Sequence, residues 1–192
     1  MRNEYYTELI SYLYKLLDKG ANMIKKIIED IKNKSNCRIL PSTTVPADIF
    51  DILPDDIKEF YTLCGGIILF EDMPYSVRIV PPEEFVLANP VILGEEIINS
   101  EIEKGTYENE ISKEWYIVAD LYNSDYIVID MNEKRKGKCY KAFWDSYPDE
   151  GDTPIISLSF TELLEELSQN DGEYWFFLKK DFKSYGDAYD ET

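Results

Sequence analysis

Histidine is absent from this sequence of 192 residues, and cysteine occurs only three times. Without His there is no imidazole metal ligand, no Ser–His or Cys–His nucleophile pair and no imidazole general base near neutral pH. The cysteines, Cys37, Cys64 and Cys139, are too widely spaced for a paired metal-binding motif, and their odd number argues against a disulfide framework. We therefore predict free, buried thiols, no metal site, no cofactor and no enzymatic activity.

Basic residues and long apolar runs are also lacking. The chain has 20 Lys and Arg against 38 Asp and Glu, which gives a formal net charge of −18. Nucleic-acid backbones and anionic lipids are bound mainly through clustered Lys and Arg, so we expect the protein to bind neither directly. No run approaches the roughly 20 apolar residues that cross a bilayer, and charged residues interrupt the first twenty positions where a signal peptide would need an apolar core. We expect a cytoplasmic protein.

The residues that are present predict one folded domain. Hydrophobic residues make up 44% of the chain and aromatic residues 14%, which is enough for a core and too much for a disordered chain. Near the N-terminus, residues 3–18 have helical apolar spacing, Gly20 interrupts it, and a second amphipathic segment begins at Met23. We treat residues 1–22 as a helical extension and Met23 as an alternative start.

Further along the chain, helix and strand signals alternate in blocks. A helix is predicted after Pro54, with acids in its first turn and Gly65–Gly66 as its stop. Short apolar runs predict strands at 67–70, 77–80, 115–119, 126–130 and 138–144, with Ile155–Ile156 following and a further short strand possible at 90–93. Residues 95–113 are interpreted as a polar connection. Ser159 and Glu162 form a capping box, 174–177 is expected to be helical, and 187–192 is an acidic tail. This order predicts an α+β fold, with a central antiparallel sheet flanked by N-terminal and C-terminal helices.

Two charged clusters have ordinary interpretations. Asp120, Asp125 and Asp130 lie at predicted strand ends, and in a chain with 38 carboxylates we interpret them as acids of strand ends and turns rather than a catalytic pair. Residues 134–136, Lys-Arg-Lys, together with Lys138 and Lys141, form a positive island that fits either an anion-binding hairpin or, as we favour, a solvated turn.

Four stretches, taken in order, resemble the SUKH superfamily, which includes the yeast cell-wall-assembly regulator and many bacterial immunity proteins. They are Leu53–Tyr61 with Gly65–Gly66, Trp115–Val118, Tyr126–Asp130 with the turn before Cys139, and Ser159–Leu164. The likeness spans roughly residues 23 to 180. The positions that carry it, which we expect to be structural, are Leu53, Pro54, Phe60, Gly65, Gly66, Trp115, Asp130, Ser159, Phe160 and Leu163. The chain departs from the pattern at Leu63–Cys64, lacks a glycine around Asn123–Ser124, and has the extra residues 1–22.

The resemblance implies an α+β domain over residues 23–186 that acts by binding rather than by catalysis. Bacterial members are thought to neutralise toxins by direct contact, so we expect an immunity protein whose partner is a basic toxin domain, such as a nuclease. The partner surface is predicted in the loop 143–152, where aromatic anchors and acids occur together. The candidate contact residues are Trp144, Asp145, Tyr147, Asp149, Glu150 and Asp152.

Two other functions remain open from the sequence. One is an intracellular scaffold of the yeast type, in which residues 1–22 would be the docking helix. The other is an acidic mimic of DNA, which would use the same net charge to block a DNA-binding protein. An ordinary surface loop is likewise the alternative for residues 143–152.

Overall fold

A computed structural model describes residues 23–191. Within that range the strands form a seven-stranded antiparallel sheet whose spatial order is the order of the sequence. The strands are β1 (Arg38–Leu40), β2 (Gly66–Leu69), β3 (Val77–Ile79), β4 (Trp115–Asp120), β5 (Tyr126–Asp130), β6 (Cys139–Ala142) and β7 (Ile155–Ser157). The strands predicted between residues 67 and 80 and between residues 115 and 156, and their antiparallel arrangement, are confirmed, whereas β1 was not predicted.

The helices lie between and around the strands. They are α1 (residues 23–32), α2 (Ala47–Ile52), α3 (Asp55–Leu63), α4 (Ala88–Ile92), α5 (Glu95–Lys104) and α6 (Phe160–Ser168). Helices α3 and α6 contact each other, with the rings of Phe60 and Phe160 5.0 Å apart in an edge-to-face arrangement. The apolar stripe of α1 enters the same core as the sheet. The predicted α+β class is therefore confirmed.

Because each strand pairs with its sequence neighbours, the connections alternate between the two ends of the sheet. Residues 70–76, 121–125 and 143–154 connect strands at one end, and residues 41–65, 80–114 and 131–138 connect them at the other. The β4–β5 turn and the loop 143–152 therefore share an end. The hydrogen bond from the backbone N–H of Trp144 to Asp125 Oδ1, at 3.2 Å, joins them directly.

The glycine pair has a different role from the predicted helix stop. Helix α3 ends at Leu63, and its cap residue Cys64 is already extended, with φ at −157°. A Cβ on Gly65 would lie 2.0 Å from the carbonyl oxygen of Pro41, and Gly66 has φ of +139°. The pair is needed because two backbones approach closely where β2 begins, which is a long-range constraint.

Three local predictions are wrong. Residues 90–93 form no strand, because Pro90 lies in the first turn of α4, where its missing N–H costs nothing. The connection predicted at 95–113 contains α5, which is bracketed by Gly94 and Gly105 and buries only Ile98. The helix predicted at 174–177 is instead a short 3-10 turn at Phe176–Leu178.

The predictions for the two ends of the domain have different outcomes. The predicted extension 1–22 lies outside the described residues. Residues 187–191 of the predicted acidic tail pack on the domain, since Ala188 is buried and the N–H of Thr153 donates to Asp187 Oδ2 at 3.0 Å.

All three cysteines are free, with Cys64 and Cys139 buried and Cys37 partly exposed. Between residues 23 and 191, no helix is long and apolar enough to cross a membrane.

Candidate protein-binding surface

The Trp144 loop, residues 143–152, separates into an exposed rim and a buried floor. Trp144 is 67% exposed, which is the largest exposure of any bulky apolar side chain in the described chain. The four candidate acids of the loop are all exposed, and none of them forms a salt bridge within residues 23–191. They are Asp145, Asp149, Glu150 and Asp152. An exposed aromatic ring beside unpaired carboxylates is available to a partner without any rearrangement.

Tyr147, the other predicted anchor, is buried. It is only 5% exposed, its ring packs edge-on to Trp115 at 6.0 Å, and its hydroxyl donates to Asn89 Oδ1 at 2.5 Å. Burial raises the pKa of Tyr147 well above its usual range. The side chain therefore supports the loop from below, and the exposed contact ring of the loop is that of Trp144.

A groove lies between α5 and the loop, and we call it the acidic groove. Its volume is about 320 Å³. Its lining combines apolar side chains with four carboxylates: Leu93, Ile97, Glu101, Glu110, Tyr147, Pro148, Asp149, Glu150 and Tyr189. Neither lysine nor arginine lines this groove. A cation that enters it therefore meets negatively charged carboxylates and apolar side chains, with no positive charge to repel it.

The groove is held in shape by contacts between distant segments. The hydroxyl of Tyr189 contacts Glu110 Oε1 at 3.1 Å and also the carbonyl of Pro148. Glu110 in turn accepts hydrogen bonds from the backbone and side chain of Ser112. Burial, and then the charge of Glu110, raise the pKa of Tyr189, so the phenol stays neutral at physiological pH. The docked C-terminal segment thus forms one wall of the groove.

Sequence reasoning missed the α5 side of this groove. Ile97 is 49% exposed and Glu101 lines the groove, but both fall in the stretch interpreted as a polar connection. The available signal was the ten-residue interval between Gly94 and Gly105, which suits one short helix.

A second, smaller groove is lined by Trp144 itself, and we call it the Trp144 pocket. Its volume is about 250 Å³, and no charged side chain lines it. The lining residues are Val91, Ile92, Ser124, Tyr126 and Trp144. The residues that line the pocket therefore come from α4, the β4–β5 turn, β5 and the Trp144 loop, and the exposed indole of Trp144 is one of them.

Asp130 lies at the end of β5, where a strand-end acid was predicted, and it is buried rather than on the surface. It is fully buried, and its Oδ2 accepts from Trp115 Nε1 at 2.9 Å, Tyr140 Oη at 3.1 Å and Arg135 Nε at 2.7 Å. Arg135 thus points inward from the basic turn, and only its neighbours at 134 and 136 are exposed. The solvated-turn interpretation is therefore wrong for Arg135. This network fixes the β5–β6 turn.

The other residues that carry the family resemblance also stabilise the fold. Leu53, Phe60, Phe160 and Leu163 are buried in the core. Pro54 precedes α3, and Ser159 Oγ accepts the N–H of Glu162 at 3.1 Å, as the capping box requires. None of them lines the acidic groove or the Trp144 pocket. Clusters of three or more potential metal ligands do not occur in the part of the chain that the structure describes.

Comparison with known proteins places the chain in a known family. Residues 50–166 match the model of the SMI1 / KNR4 family (SUKH-1), and the chain belongs to that family. A curated relative, immunity protein YokJ of Bacillus subtilis (strain 168), is 43% identical over 168 residues, which covers 87% of this chain and 96% of the relative. No solved structure is similar enough to the chain to count as a match.

Proposed function

We propose that the protein is an immunity protein that neutralises a cognate bacterial toxin by binding it directly. The observation that carries this proposal is the 43% identity to an immunity protein across nearly the whole length of both chains. An identity at that level over a single domain supports a shared type of activity, although a shared fold alone would not. Inhibition is by occlusion of the toxin, with no chemical step.

The partner surface consists of the acidic groove and the rim of the Trp144 loop. It has the features of an interface hot spot, because the loop carries an exposed Trp and the groove combines apolar side chains with four carboxylates. Because the chain carries a net charge of −18, it attracts a basic toxin domain from a distance and speeds the encounter. The same charge repels polyanions.

The first experiment is an affinity purification of the tagged protein from its own cells at low salt and again at high salt, with bound proteins identified by mass spectrometry. We expect one basic, toxin-like protein whose recovery falls with salt. Recovery of several unrelated cellular proteins at both salt concentrations, or recovery of an acidic toxin, would contradict the proposal as stated.

With that toxin in hand, charge-matched variants locate the surface. Neutralising three groove acids, in Glu101→Gln, Asp149→Asn and Glu150→Gln, should slow association about tenfold at low salt, because long-range attraction acts mainly on the association rate. The control neutralises three exposed acids elsewhere, in E133Q, E173Q and D181N. Equal slowing by both triple variants would show that only net charge matters, and no slowing by the groove variant would place the interface elsewhere.

A further inference from the structure

The Trp144 pocket has a more specific chemistry than the acidic surface around it. No charged side chain lines it, and its lining combines the apolar Val91 and Ile92 with the polar Ser124 and two aromatic rings. Two carboxylates neighbour the lining residues: Asp125 follows Ser124 in the sequence and its Oδ1 accepts the backbone N–H of Trp144, and Asp145 is the next residue after Trp144. Two aliphatic side chains, an exposed indole and neighbouring acids suit a side chain with an apolar stem and a cationic end.

The two carboxylates are not neutralised by their own surroundings. Burial raises the pKa of Asp125, and the nearby negative charge of Asp145 raises it further, whereas the hydrogen bond from Trp144 lowers it. Lys141 is the cation close enough to offset part of this charge, and its ammonium lies over the ring of Phe143, 5.0 Å from the ring centre. One basic residue facing two acids leaves an excess of negative charge beside the pocket.

The β4–β5 turn, which supplies Ser124 to the pocket wall, has an unusual backbone conformation. Three consecutive residues of the β4–β5 turn, Tyr122, Asn123 and Ser124, have positive φ angles of 55° to 67° without a glycine among them. Such a conformation costs free energy and persists only where surrounding contacts impose it. Here Asp120 Oδ1 accepts the N–H of Tyr122 at 2.7 Å, and the turn places Ser124 in the pocket wall.

We propose that the Trp144 pocket binds one arginine side chain of the protein partner. The guanidinium stacks on the exposed indole and pairs with the Asp125 and Asp145 carboxylates, and the methylene stem lies along Val91 and Ile92. Arginine fits better than lysine because its planar cation both stacks on aromatic rings and pairs with carboxylates in a fork. Leucine would contact Val91 and Ile92 but would leave the acids unpaired. The proposal rests on the proposed function only in that the partner is taken to be the toxin.

The pocket can be tested without the toxin, using N-acetyl-L-arginine amide as the probe. The full-length protein is labelled with ¹⁵N, and its three indole N–H signals are followed at constant ionic strength. Trp115 and Trp175 are buried and serve as internal references for the exposed Trp144. We expect a saturable shift of the Trp144 signal with the arginine probe, a weaker one with the lysine amide and none with the leucine amide.

Matched variants assign any response to the pocket. The variant D125N/D145N keeps an oxygen acceptor for the Trp144 N–H and should raise the apparent dissociation constant of the arginine probe about fivefold, as expected for losing two exposed ionic contacts. The control D149N/E150Q removes the same charge from the acidic groove and should leave the constant within about twofold. An equal effect of both variants, an equal response to leucine amide, or no saturable response to arginine would each overturn the proposal.

Failure of this proposal differs from failure of the proposed function. If the arginine probe binds as described and no toxin co-purifies, the pocket assignment holds and the toxin assignment fails. If the toxin binds and its affinity is unchanged by W144A and by D125N/D145N, the immunity function holds and the arginine pocket is wrong.

Discussion

Replacing Asp130 by Asn should lower the free energy of unfolding by about 3 kcal/mol, because a buried carboxylate that serves several donors is lost. Asp130 has no exposed surface, and its Oδ2 accepts from Trp115, Arg135 and Tyr140. Its Oδ1 accepts the backbone N–H of Asn132 at 2.8 Å. Both oxygens are therefore occupied, and an amide supplies only one.

The magnitude of the loss in unfolding free energy follows from the number of hydrogen bonds that an Asn side chain can still accept at this position. With its oxygen toward the three side-chain donors, its NH₂ group faces the N–H of Asn132, and one hydrogen bond becomes a repulsive contact. The bonds from Trp115 and Tyr140 change from charge-assisted to neutral, which costs about 1 kcal/mol apiece. The bond from Arg135 keeps an ionised donor, but this side chain, only 15% exposed, loses its anionic partner. With about 1 kcal/mol for the lost Asn132 bond, the total is about 3 kcal/mol, at the lower end of the about 3–5 kcal/mol seen for fully buried pairs because Arg135 keeps some exposure to water.

Urea unfolding followed by far-UV circular dichroism measures this loss. With a slope of about 2 kcal/mol/M, the midpoint should fall by about 1.5 M at an unchanged slope. The exposed acid Asp149 supplies the control, since D149N should change the stability by less than about 0.5 kcal/mol. A loss from D130N below about 1 kcal/mol would refute the reasoning from the hydrogen-bond network. The double variant with R135M should show coupling between Asp130 and Arg135.

Two further predictions concern the glycine pair and the thiols. G65A should lower the thermal midpoint severely or prevent folding, because its Cβ would lie 2.0 Å from the Pro41 carbonyl oxygen; a midpoint close to that of the unchanged protein would contradict this contact. Burial raises the pKa of Cys64 to about 11, so iodoacetamide at pH 8 should modify Cys37 first in the folded protein and all three cysteines in urea, as read by mass spectrometry. Since the folded-state pKa of Cys64 is above its unfolded value, its contribution to stability should be complete below about pH 8.5 and lost as the pH rises toward 11.

Local signals predicted most of the sheet and the fold class. Short β-branched runs marked the strands, and the capping box at Ser159 marked the start of α6, because both depend on neighbours within a few residues. Helix α5 was not predicted from the sequence. It buries only one side chain, Ile98, so it has no continuous stripe of buried apolar residues to mark it as a helix.

The candidate surface could be predicted only in part, because its shape depends on contacts between distant segments. The acids of the loop and Trp144 were identified from composition. The burial of Tyr147 was not, since its partner Asn89 lies 58 residues away in the sequence. The inward orientation of Arg135 was not predicted either, because it depends on the burial of Asp130, which the sequence pattern of a strand end does not indicate.

The sequential order of the sheet has a consequence for altering the protein. Each strand is aligned by its immediate predecessor and successor, so a change in the length of one connection does not require another strand to be threaded or re-paired. The segment 121–125 and the exposed residues of the Trp144 loop can therefore be exchanged for those of another member of the family while β4, β5 and β6 keep their pairing, if the buried Tyr147 and Thr153 are kept. The scaffold is thus suited to the grafting of new recognition loops. The buried Asp130 network lies outside the exchanged segments and stays unchanged in every graft.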